Sequence, residues 1–134
     1  MNNLSLTLGR VLLALYFLLP GIMKFAAWDK HIALMEKHEM DFIPLLLAIA
    51  GGFQIIAAVL LMLNRYTAIV ALLLAGLVLM ININLHDFWH YSGVEGAHEM
   101  QNFVKNLGIL AGLLVLAGHS WHDSFKGRVQ LSLK

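Results

Sequence analysis

The chain has no cysteine, only two prolines, and few charges: 13% of its 134 residues are Asp, Glu, Lys or Arg. Without cysteine there are no disulfides, no thiolate nucleophile, and no Cys-ligated zinc or iron–sulfur centre. A net charge of +1 and the lack of any basic patch with interleaved aromatics exclude nucleic acid as a partner. No flavin- or dinucleotide-binding motif is present, and no histidines lie deep inside an apolar run, where haem ligation would place them. What the chain does have is apolar residues, 60% of the total, against roughly 45–50% in soluble domains. The solvent this composition suits is a bilayer.

Four apolar runs are each near the roughly 20 residues that a spanning helix needs. They cover about residues 4–25, 43–64, 67–86 and 101–119, followed by an exposed tail over 120–134. The first is a poor signal peptide, because Pro20-Gly21 falls inside it and a cleavage motif is weak. Between the first two runs, Trp28 to Asp41 has helical periodicity with charges, the pattern of a short amphipathic helix at the interface. Pro44 opens the second run at a favourable first-turn position. Asn64-Arg65-Tyr66 makes a tight turn into the third. The expected fold is therefore all-α: a single integral membrane four-helix bundle with an interfacial helix between helices 1 and 2. Gly108, Gly112 and Gly118 have the spacing of a close helix–helix contact in the fourth run.

Four spans put both termini on one side. Arg10, Arg65, Lys126, Arg128 and Lys134 lie on that side, against Lys24, Lys30, Lys37 and Lys105 opposite. This slight excess predicts cytoplasmic termini in a bacterial inner (plasma) membrane.

Polar residues concentrate where the third run ends and the fourth begins. If helix 3 continues to His90, then Asn82, His86 and His90 form one stripe at i, i+4, i+8. Asn102 with Asn106, and Gln101 with Lys105, make i, i+4 pairs at the start of helix 4. Short connections make these helices antiparallel neighbours, so their polar ends meet at the depth where Lys24 closes helix 1. Gln54, an amide near mid-membrane, must face the bundle.

Such a set suits a bound redox molecule. His86, His90 and His98 can exchange protons near neutral pH. Lys24 and Lys105, with the amides, can hydrogen-bond quinone carbonyl oxygens and stabilise developing negative charge. Phe88, Trp89 and Tyr91 can wall a flat ligand. The alternative is a metal site of His86, His90 and His98, with Glu99 as a further ligand. Bland readings stand beside each. Lys24 can snorkel to the interface, the tryptophans can form an aromatic belt, and Gln54 and Asn82 can simply tie helices together. HxxxH spacing is common in helices.

Several stretches resemble the DoxX family of small four-helix membrane proteins. They are RVLLALYFLLPGIMKF (Arg10 to Phe25), Gly51 to Gln54, Asn64 to Ala68, HDFW (His86 to Trp89) and, most plainly, QNFVKNLGILAG (Gln101 to Gly112). The last is similar to the family's KNL-x-I-x-GG-L helix. The resemblance implies a membrane subunit of redox complexes, such as a thiosulfate:quinone oxidoreductase; lacking cysteine and any flavin or dinucleotide motif, the chain would need a partner protein to supply electrons. The resemblance points to Arg10, Lys24, His86, Asp87, Trp89, Lys105 and Asn106. Gln54 departs from the pattern, standing where many members carry glutamate; an amide cannot carry a proton. The resulting expectation is a quinone-linked oxidoreductase subunit. His86, Asp87 and Lys105 would do its chemistry, and Lys24, Gln54, Asn82, Trp89, Asn102 and Asn106 would line its ligand site. Its partners would be the bilayer and a redox protein, with a homo-oligomer left open. The rival expectation is a non-catalytic membrane scaffold.

Overall fold

A computed structural model describes residues 3–132, with side chains through Lys126 and at Arg128. Five helices follow in order: α1 (Leu4–Ala26), α2 (Trp28–Lys37), α3 (Ile43–Met62), α4 (Thr67–Leu85) and α5 (Gly93–Ser132). One 3-10 turn, Phe88–His90, lies between α4 and α5. Among the described residues, α1, α3, α4 and α5 are long and apolar enough to cross a membrane. The predicted architecture, four spans with a short helix after the first, is the observed one.

α1 packs chiefly on α3 and α4 chiefly on α5, and α3 against α4 joins the two pairs. Lipid tails are as apolar as leucine, so burial alone gives little drive to bring helices together; close packing and interhelical hydrogen bonds must do it. The interior accordingly alternates small and large side chains. Ala14, Ala57, Ala58, Ala71, Ala75 and Ala117 sit among the fully covered Phe17, Leu61, Leu74 and Leu113. Leu12, Ile56, Leu73 and Val115 point outward, as lipid-facing residues should.

The closest helix approach is not where the glycine spacing predicted. A Cβ on Gly51 would meet Phe25 Cε2 at 2.7 Å, and one on Gly21 would meet Gln54 Cβ at 3.0 Å. These two glycines let α1 and α3 cross in near contact. Gly108 and Gly118 face open space, and Gly112 reaches only Leu13, at 3.9 Å. Glycine spacing marks a face without saying whether a neighbour lies against it.

The ends of the elements have local causes. Arg10 donates from Nη1 to the carbonyls of Leu61 (a short contact) and Met62 (2.9 Å), capping the C-terminus of α3. Such carbonyls lack intrahelical partners and carry partial negative charge. Pro44 occupies the first turn of α3. α4 stops at Leu85, where Asn84 Nδ2 turns back onto the Met80 carbonyl at 2.8 Å, and His86 leaves helical geometry.

Two sequence expectations fail at this point. The stripe of Asn82, His86 and His90 does not form, because α4 ends before His86 and His90 sits in the 3-10 turn. The helix that carries the fourth apolar run also begins earlier than residue 101. Gly93 takes a positive φ of 64° and Gly96 packs against the Tyr91 carbonyl, where a Cβ would lie 2.8 Å from the oxygen. These two glycines, outside the predicted apolar runs, allow a tight entry into α5. That helix then runs for 40 residues, about 60 Å at 1.5 Å per residue, or twice the hydrocarbon thickness. The tail is helical through Ser132, with Trp121 to Lys126 and Arg128 exposed; Leu133 and Lys134 lie outside the described residues.

Candidate functional site

Asn82 is the deepest polar residue on α4, with 2% of its surface exposed. Its Nδ2 donates to the Phe103 carbonyl of α5 at 3.1 Å, and its Oδ1 accepts from Asn106 Nδ2 at 2.9 Å. Asn106 Oδ1 in turn accepts from the Tyr16 hydroxyl of α1 at 2.8 Å. Three helices are thereby joined by one chain of side-chain hydrogen bonds. The order follows from chemistry: a phenol can donate, and each amide can donate at one end and accept at the other.

A cavity of about 530 Å³ opens beside this chain, lined by Tyr16, His86, Asn102, Lys105, Asn106 and Ile109. His86 Nδ1 lies 2.7 Å from Glu99 Oε2, with both side chains largely covered. For a neutral ring this contact selects the Nδ1–H tautomer and leaves Nε2 as an acceptor. Among the described residues, Lys105 has no carboxylate within 4.0 Å. The cavity wall therefore combines an unpaired ammonium, an oriented imidazole, a phenol and two amides.

A second polar group lies alongside. The Asp87 carboxylate sits between His90 Nδ1, hydrogen-bonded to Oδ2 at 2.7 Å, and His38 Nδ1, 2.9 Å from Oδ1. The His38 contact is close but off the hydrogen-bond direction, and among the described residues neither atom has another partner. Lys37 forms an ion pair with Glu95 and lies 5.3 Å from the centre of the Tyr91 ring. The hydrogen bond to Glu95 holds the Lys37 ammonium above the usual lysine range. These contacts clasp the end of α2 onto the α4–α5 connection.

The structure places His86, Asn102, Lys105 and Asn106 on one cavity wall, with Asn82 bonded to Asn106. It does not bring Lys24 or Gln54 to them. Lys24 Cβ lies beside Gly51 and Gln54 beside Gly21, both on the α1–α3 contact. Gln54 is buried, as expected, but its Oε1 has no protein partner among the described residues. The residue α1 sends to the cavity is Tyr16. Lys24 lies eight residues on, about 12 Å further along the helix and about 80° around it. Trp89 is 52% exposed and packs edge-on against Phe88 and Phe103 rather than lining the cavity. Asp87 belongs to the neighbouring cluster.

The three histidines of the metal alternative do not converge as a set. His90 pairs with Asp87 and His86 with Glu99 at 2.7 Å, while the exposed His98 lies 3.4 Å from Asn102 Nδ2 and 3.9 Å from the other oxygen of Glu99. Among the described residues, no three His, Asp or Glu side chains are placed to hold a metal ion. Sequence reasoning missed Tyr16 and His38, and weighed Glu99 only as a metal ligand. Glu99, Asn102 and Asn106 fall on one helical face at i, i+3, i+7, a signal visible only once α5 is known to begin at Gly93. Nothing in the sequence pattern distinguishes Tyr16 or His38.

Four spanning helices, with polar side chains bound across them near one end, define a small helical-bundle integral membrane protein. The DoxX family profile matches residues 5–87, more than half of the chain, and the protein belongs to that family. The match ends before α5, which supplies Glu99, Asn102, Lys105 and Asn106. The chain is also 28% identical over 112 residues to the inner membrane protein YphA of Escherichia coli (strain K12), covering 84% of this chain and 80% of that protein. No solved structure gives a significant match.

Proposed function

We propose that this DoxX protein is a quinone-linked subunit of an inner-membrane oxidoreductase system, with its termini cytoplasmic and the Lys105 cavity as its ligand site. The observation that carries this reading is Lys105, an ammonium without a carboxylate partner in the wall of a cavity shared with the His86–Glu99 pair. A quinone headgroup suits that donor set. Its carbonyl oxygens need hydrogen-bond donors, and Lys105 and Asn102 offer them. A bound quinone would supply two-electron, two-proton redox chemistry, with the electrons coming from a partner protein.

The chain's own residues have separable tasks. Lys105 stabilises negative charge on a carbonyl oxygen by its position. His86, oriented by Glu99, holds or releases a proton at Nε2. Tyr16 and Asn106 fix the cavity floor, because their polar atoms are already committed to the hydrogen-bond chain. Ile109 gives a ring an apolar contact.

Extraction of quinone from protein purified out of native membranes, followed by titration of a short-chain quinone into wild type and Lys105→Ala, tests the reading. Quinone retained by the wild type and lost by the variant is the expected result. Absence of quinone from both, with identical titrations, would overturn it.

A second reading, the membrane scaffold, draws on the buried chain from Tyr16 to Phe103, which would tie helices with or without a ligand. It expects Asn106→Leu to lower folded yield while no small molecule binds at any stage. Normal yield with lost quinone binding would rule it out.

A further inference from the structure

A cavity of about 760 Å³ lies at the other end of the bundle, between the first turns of α1, the α3–α4 turn and the last turns of α5. Its polar wall is built by Arg10, Asn64, Thr67, Ser120, Ser124 and Arg128. Leu6, Ile69 and Leu116 form an apolar part of the same wall. α5 outruns the bilayer by several turns, and only that extension places Arg128 on the same cavity as Arg10.

Both arginines retain donors. Arg10 makes its two carbonyl bonds from a single terminal nitrogen. Among the described residues, its other N–H groups have no protein partner, and Arg128 has no carboxylate within 4.0 Å. The Thr67 hydroxyl donates to Asn64 Oδ1 at 2.9 Å, and the Asn64 amide hydrogens have no protein partner among the described residues. Among the described residues the one acid in the wall, Asp123, is held 3.1 Å from His119 Nε2 on its own helix. Two guanidiniums, an amide and hydroxyls over an apolar surface form a donor-rich cup with little competing negative charge.

We propose that this cavity binds a phosphate-bearing anion, as the headgroup of an anionic phospholipid or as free phosphate. Planar guanidiniums match phosphate oxygens in paired geometry. The apolar wall of Leu6, Ile69 and Leu116 continues toward the bilayer, where the glycerol and acyl chains of a lipid would lie. The site is independent of the quinone reading, since it shares no residue with the Lys105 cavity.

Native mass spectrometry of the full chain in detergent, titrated with phosphatidylglycerol or phosphatidylcholine, reads this directly. Phosphatidylglycerol should bind more tightly than phosphatidylcholine. Arg128→Gln should weaken it about fivefold, the effect of one basic side chain near an anionic headgroup, and Lys126→Gln should leave it unchanged. Arg10→Gln should weaken it too; if that variant folds poorly because α3 loses its cap, Arg128→Gln decides alone. Inorganic phosphate at millimolar concentration is the second arm. Displacement of phosphatidylglycerol supports a site that accepts phosphate alone, and no displacement supports a lipid site. Equal binding of the two lipids, or phosphatidylglycerol binding indifferent to Arg128→Gln, would overturn the proposal.

Discussion

Asn106 donates to Asn82 across the α4–α5 contact at 2.9 Å, and each amide is bonded at its other end to a different part of the bundle. Neither residue can be removed without stranding a partner. A buried polar group left unpaired costs about 1–3 kcal/mol, whereas the net value of an interhelical hydrogen bond in a membrane averages only about 0.6 kcal/mol. The consequence is asymmetric. Asn106→Leu strands both Tyr16 Oη and Asn82 Oδ1 and should lower stability in detergent by about 1–3 kcal/mol. Tyr16→Phe removes the donor at the cavity edge and should cost about 0.5–1 kcal/mol. Denaturant titrations followed by circular dichroism would rank the two, and equal losses would contradict the arrangement.

Gly51 is the tightest point of the α1–α3 crossing. Gly51→Ala places a methyl 2.7 Å from the Phe25 ring, and overpacking of this kind costs about 1–3 kcal/mol. Phe25→Ala in the same chain should recover part of that loss, because the clash is with the end of a side chain. Gly108→Ala should be neutral or slightly stabilising, since its Cβ meets nothing and alanine favours helix. Thermal unfolding of the three variants checks the order.

Arg10 caps α3 with a charged group, and hydrogen bonds to charged groups contribute about 1.5–3 kcal/mol. Arg10→Met should destabilise by about that amount. Hydrogen exchange should show the loss first in the last turn of α3 and the Asn64–Tyr66 turn. Uniform exchange across all helices would argue against a local capping role.

Glu99 pins the first turns of α5 to His86. Glu99→Leu should increase amide exchange over residues 93–99 while leaving the deeper part of α5 protected, because Asn82 and Asn106 still join α4 to α5. In the quinone reading, Glu99→Gln should also slow proton-coupled turnover of the partner complex without abolishing quinone binding, whereas Lys105→Ala should abolish binding.

The four spans were legible because spanning is a one-dimensional property. A run of about 20 apolar residues needs no neighbour to declare itself, and short connectors force consecutive runs to be antiparallel. The meeting of Asn82 with the start of the last helix followed from the same logic, since both lie at one depth. Depth, however, is all that hydropathy reports. Whether Lys24 or Tyr16 faces the α5 amides depends on the rotation of α1 about its axis, which is set by the near contact of Gly21 on α1 with α3 and of Gly51 on α3 with α1. Whether Glu99 belongs to a loop or to the site depends on α5 starting at Gly93. That start is allowed by a positive φ and by the Tyr91 carbonyl seated against Gly96, neither of which glycine in a sequence announces. The sequence by itself determined how many helices cross, in what order, and at which end the amides gather. Only the tertiary structure decided which faces meet, because helix rotation and helix ends are fixed by close contacts between residues far apart in the chain.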